Sequence, residues 1–165
     1  MDINRKLNSY NQKHLNIQEV IMSDIWVTVA DSSRARIFKA DSSSGPLEEI
    51  QTLAHPEARL HEGDLTTDRS GRDTNSTSGS HGFGTATEAK DEQAARFASL
   101  VCSTLEASHQ KGSFNKLYIV AAPAFLGLLR KHRSGSVKQV LAEELSKNLA
   151  ALDAKTIRSY LPEYL

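Results

Sequence analysis

The hydrophobic and polar positions of this chain fall into three regimes, and the change between them sets the organisation. The first regime alternates with the short period of strands. Residues 25–30 (IWVTVA) are β-branched and aromatic, which suits a pleated, buried ribbon. Asp31-Ser32-Ser33-Arg34 follows as turn chemistry, because short polar side chains bond their own backbone. Residues 35–40 (ARIFKA) then read as the returning arm of a hairpin. After the turn at 41–46, residues 47–53 (LEEIQTL) alternate as a third and more exposed strand. His55-Pro56 closes it, since proline donates no ladder hydrogen bond.

The second regime has almost no apolar positions. Residues 63–86 (GDLTTDRSGRDTNSTSGSHGFGTA) contain five Gly and nine Ser or Thr, and only Leu65, Phe83 and Ala86 are apolar. Such a segment buries too little to offset its ordering entropy, so the pattern predicts a long functional or disordered loop.

The third regime carries the helical period. Thr85-x-x-Glu88 has the spacing of a capping box, and it predicts a helix over 87–108. Ala94, Phe97, Ala98, Val101 and Leu105 form its apolar stripe, with Cys102 beside it as a small buried hydrophobe. Residues 114–122 (FNKLYIVAA) are nearly continuous in apolar character, as in a strand covered on both faces. Pro123 is placed to open a helix through Leu129 and His132, and Ser134-Gly135-Ser136 is expected to stop it. Val137, Val140, Leu141, Leu145 and Leu149 fit a helical period, yet 140–145 also suits a strand. Asp153 caps a short last helix that ends before Leu161-Pro162. Strands alternating with helices give the α/β class in a single domain, over 23–165.

Composition narrows the function classes. The chain has 165 residues, 20 basic and 20 acidic, so no global field selects nucleic acid or acidic membrane, and any anion site must be local. A single cysteine excludes an internal disulfide framework and fits a cytoplasmic, reducing location. No apolar run reaches the roughly 18 residues of a membrane span. Residues 1–22 are polar, weakly patterned and lack a signal-peptide core, so they are expected to be a disordered extension outside the fold.

WVTVADSSRARIF, LTTDRSGR and FNKLYIVAAPAFLGLLR, in that order and spacing, resemble a family of bacterial proteins required for attachment to host cells. The resemblance covers about residues 24–161. It implies a relation to the middle domain of archaeal-eukaryotic peptide release factors. The implied fold is a mixed β-sheet flanked by helices on both faces, ribonuclease H-like, with 138–145 as a strand. Release factors carry Gly-Gly-Gln in the corresponding loop. Here the loop offers Gly82-Phe83-Gly84 and no glutamine, which removes the residue that would justify ester hydrolysis.

Four chemistries are open to the remaining residues. Arg34, Arg36, Arg69, Arg72 and Lys90, with His81 nearby, form the candidate set for phosphate or RNA, since guanidinium forks and glycine-rich backbone N–H groups hold anions. His55, His61, Glu62, Asp64 and Asp68 have metal-ligand chemistry but match no strong spacing template. His81 is the general-base candidate for a small hydrolase-like enzyme, although no nucleophile is placed beside it. A loop that folds onto a protein partner is the fourth, as in an adaptor for surface attachment. The balance favours a non-enzymatic RNA- or ribosome-associated module, needing neither cofactor nor metal.

Overall fold

A computed structural model describes residues 24–55 and 82–165, with side chains from Glu88 onward in the second stretch. Five strands make one mixed sheet: β1 (Ile25–Ala30), β2 (Arg34–Ala40), β3 (Glu48–Ala54), β4 (Lys116–Ala121) and β5 (Leu141–Ser146), in the order β3-β2-β1-β4-β5. β1 pairs antiparallel with β2, and β2 with β3. β4 lies parallel to β1 on its other side, Ile25 opposite Lys116 through Ala30 opposite Ala121, and β5 runs parallel to β4.

The burial of β1 explains its central place. Trp26 and Ala30 join one apolar cluster, and Ile25, Val27 and Val29 join the other, so both faces are covered. The first face is packed by α1 (Gly82–Gln110), α2 (Pro123–His132) and α3 (Gly135–Gln139). The second carries α4 (Ala154–Ser159), through Ile157, together with Leu149, Ala150 and the C-terminal Leu165. The α/β class and the helices on both faces are therefore as the sequence implies.

Several boundaries differ from the sequence reading. α1 begins at Gly82, not at Thr87, so Gly82-Phe83-Gly84 is helical backbone and not loop. Once a helix is nucleated, adding a residue costs only its propensity, about 1 kcal/mol for a glycine, and the capping-box spacing at Thr85 is bypassed. α1 ends where Gly112, at φ +73°, lets Ser113 N–H reach the Ser108 carbonyl at 3.0 Å. Phe114 precedes β4 instead of belonging to it, and stacks on Trp26 at 4.7 Å between ring centres. Ser134 stops α2 but also caps α3, its hydroxyl accepting from Val137 N–H at 3.4 Å. The helical period at Val137 thus belongs to α3, and the strand that the family resemblance implies starts at Leu141, not at 138. Asp153 caps α4 as expected, accepting from Thr156 N–H at 2.9 Å.

Candidate functional site

The chain connections change direction between the parallel neighbours β1 and β4. The chain leaves β1 toward β2 and leaves β4 toward β5, so the two connections diverge and open a crevice beyond the strand ends. Crevices at such switch points are where α/β sheets bind ligands. Here a cleft of about 420 Å³ occupies the place. Asp31, Ser32 and Ser33 line it from the end of β1, Ala122, Ala124, Phe125 and Leu128 from the end of β4 and α2, and Asn148 from beyond β5. Lys90, Asp91 and Ala94 of α1 form the remaining wall.

The turn after β1 is stiff. Asp31 accepts from Ser33 N–H at 2.8 Å and Arg34 N–H at 3.0 Å, and its own N–H bonds the Arg34 carbonyl at 2.9 Å. The Asp31 carboxylate is therefore engaged by backbone donors and lies 3.8 Å from the Arg34 guanidinium, while Ser32 and Ser33 line the cleft. At the start of α2, Ala122 supplies no side-chain cap and Pro123 has no N–H. The first intrahelical bond runs from Leu126 N–H to the Ala122 carbonyl at 2.8 Å, so the N–H groups of Ala124 and Phe125, two residues that line the cleft, have no intrahelical partner. A helix start of this kind carries partial positive charge. Lys90 forms no ion pair among the described residues and adds a full charge on the same side.

Described residues flank 56–81 on either side near this cleft. His55, the last described residue before it, donates its N–H to the Ser33 carbonyl at 2.9 Å and packs its ring 5.4 Å from Phe97. Phe97 in turn lies 5.7 Å from Phe125 under the cleft floor. On the other side, Gly82 starts α1 eight residues before Lys90, about 12 Å along the axis.

The candidate anion ligands are thus not all together. Lys90 lines the cleft, and Arg34 borders it through Asp31. Arg36 faces the opposite side of the sheet, over the Phe38 ring at 4.9 Å. Its guanidinium donates to Glu49 at 2.6 Å and to the carbonyls of Ala150 and Leu152 at 3.2 and 2.5 Å. Arg69, Arg72 and His81 lie outside the described residues, as do His61, Glu62, Asp64 and Asp68 of the metal candidates. No group of three or more metal-ligating side chains occurs among the described residues. Asn148 and the N–H groups of α2 were not singled out from the sequence. The signal available was a buried strand running directly into Pro123, which places a helix start at a strand end.

A model of the family described as "Protein required for attachment to host cells" matches residues 26–161. The chain belongs to that family. The match spans the sheet from Trp26 onward and every described helix, so the cleft lies within the family domain. No curated protein matches the chain. Among solved structures, this family member is similar to an archaeal translation termination factor, aRF1, at 14% identity and a TM-score of 0.37, over 84% of this chain and 35% of that one. It is also similar to a structure described as an archaeal protein, at 11% identity and a TM-score of 0.38, over 87% of this chain and 38% of that one. The chain spans little more than a third of the length of either. No described helix is long and apolar enough to cross a membrane.

Proposed function

We propose that this protein is a non-enzymatic, cytoplasmic RNA- or ribosome-associated module, holding phosphate at the cleft between β1 and β4. The observation that carries the reading is that three kinds of group able to donate to an anion line the cleft beside Asp91: the α2 N–H groups that have no intrahelical partner, the Lys90 ammonium, and the hydroxyls of Ser32 and Ser33. Asn148 supplies an amide from the third side. These groups hold an anion without transforming it, since none carries an activated nucleophile. Residues 63–86 add Arg69 and Arg72 as further phosphate contacts in this reading. Arg36 takes no part, because its donors are spent on Glu49, Ala150 and Leu152.

The test is a titration of fluorescent single-stranded RNA against the full chain over a salt series. Each lysine or arginine contact releases counterions, so affinity falls with salt at a slope of about 0.7 per contact. Lys90→Glu, and separately Arg69→Glu with Arg72→Glu, are expected to weaken binding and flatten that slope. Affinity that ignores both salt and all three substitutions defeats the phosphate reading. Turnover of an ester substrate that disappears in His81→Ala would instead establish the enzymatic alternative.

A further inference from the structure

The largest acid-free stretch of the sequence is not in the glycine-rich segment. Residues 107–142 contain no Asp or Glu, yet they hold Lys111, Lys116, Arg130, Lys131, Arg133 and Lys138, with His109 and His132. All twenty acidic residues therefore lie elsewhere, and the chain's overall neutrality conceals a strong local imbalance.

The fold gathers this stretch at one end of the sheet. α1 finishes at Gln110 and α2 at His132, both after running back from the cleft end. α3 finishes at Gln139, directly before the Leu117–Val140 backbone bond that starts the β4–β5 pairing. Three helix ends thus meet the amino-terminal edge of β4, one strand length, about 20 Å, from the cleft. A basic residue at a helix C-terminus complements the dipole, and one per helix would satisfy that need. Here Arg130 and Arg133 are paired with Glu144, whereas Lys111, Lys131, His132 and Lys138 are exposed and have no carboxylate partner among the described residues. Asp24 and Asp41 share Lys39, and Glu106 stands on α1 itself, four residues before its end.

We infer that this edge, carrying Lys111, Lys131, His132 and Lys138, is a second docking surface, for the phosphate backbone of double-stranded RNA. The inference rests on the RNA reading of the cleft for the class of ligand. Among the described residues, the exposed large apolar ones, Ile50, Leu100, Tyr160 and Tyr164, all lie outside the acid-free stretch. Among the described residues the edge therefore offers no large apolar group to enter a lipid boundary, and no ring other than the His132 imidazole to stack on an unpaired base. Its donors are three ammonium groups and the His132 imidazole, with Gln110, Ser113, Asn115 and Ser136 between them in the sequence, which suit phosphate and sugar oxygens.

The test titrates a fluorescent RNA duplex and the fluorescent single strand against the full chain, as wild type, Lys131→Glu/Lys138→Glu and Lys90→Glu. Thermal melts by circular dichroism confirm folding of each variant. The double substitution is expected to lower duplex affinity more than tenfold and reduce the salt slope by about 0.9 per lost contact. Single-strand affinity should keep its dependence on Lys90. Duplex binding that is unaltered by the double substitution, or lost only with Lys90→Glu, overturns the inference. So does a wild type that binds the single strand and not the duplex, or one whose RNA binding is displaced by anionic lipid vesicles. Loss of the Lys90 effect with the edge effect intact would defeat the cleft reading alone.

Discussion

The guanidinium of Arg36 lies 2.5 Å from the carbonyl oxygen of Leu152, joining two residues 116 positions apart. Arg36 sits on β2, and Leu152 belongs to the segment that leads from β5 into α4. The same side chain holds Glu49 on β3, so one planar group fastens the sheet edge to the C-terminal cover. A lysine in its place reaches one of these acceptors and leaves the others short of a donor. Arg36→Lys is therefore expected to destabilise the fold by about 1–3 kcal/mol, or roughly 2–4 °C per kcal/mol in Tm. RNA affinity should stay as in wild type. A variant that melts normally but binds less RNA would return Arg36 to the binding set.

Acid should weaken the fold through two carboxylates. At Glu144, burial is the largest single influence and pushes the carboxyl up, but hydrogen bonds and charge from Arg133 and Arg130 together outweigh it and leave the group lowered. At Glu49, the hydrogen bond from Arg36 and then that from Thr52 hold the carboxyl down. A folded value below the unfolded one, about 4.3, gives stability that is present above it and lost as pH falls through the folded value. Tm should decline below about pH 4.3. Glu144→Gln should start from a lower Tm at neutral pH and decline less in acid. Parallel profiles for variant and wild type would show that Glu144 makes no such contribution.

Thr28 is fully buried, and its hydroxyl has no hydrogen-bond partner among the described residues. A buried unpaired hydroxyl costs about 1–3 kcal/mol, and valine has nearly the same outline. Thr28→Val is expected to raise Tm by a few degrees. A lower Tm would mean that the hydroxyl has a partner, and calorimetry of the pair of proteins decides it.

Cys102 should be inert in the native state. Burial, the largest influence, pushes its thiol up to about 11, and the Sγ–H donates to the Leu129 carbonyl at 3.5 Å. Thiolate is the reactive form, so almost none exists at neutral pH. Alkylation of folded protein should be slow, and complete once denaturant is added. Fast labelling without denaturant would show that α1 opens away from α2.

The strands were legible because their period and their boundaries agree. Trp26 and Ile25 had to point to opposite faces, and six buried positions in a row on β1 leave only a central strand. α1 was legible at its apolar stripe, Phe97 to Leu105, but not at its start, because Gly82 and Gly84 suggest turns and only the existing helix makes them helical. The region after α2 was ambiguous for a physical reason: Val137 packs as part of a short helix, whereas Leu141 begins a strand, and a window spanning both averages the two periods. Of the candidate anion ligands, Arg34 and Arg36 looked equivalent in sequence. They differ because β2 has neighbours that the sequence does not place beside it, Glu49 across the strand pair and Leu152 from the far end of the chain. Asn148 was invisible for the same reason, since its role depends on the position of β5.

The parallel pairing of Ile25 with Lys116 has a consequence for synthesis. β1 can close its hairpin with β2 almost as soon as both leave the exit tunnel, but its other flank has no partner until β4 is made. Chains grow at about 5–20 residues per second, so that flank waits on the order of 5–20 seconds with backbone donors open and Trp26 uncovered. Nascent β1 is thus the segment most exposed to wrong pairing, and a holding chaperone has its best opportunity in that interval.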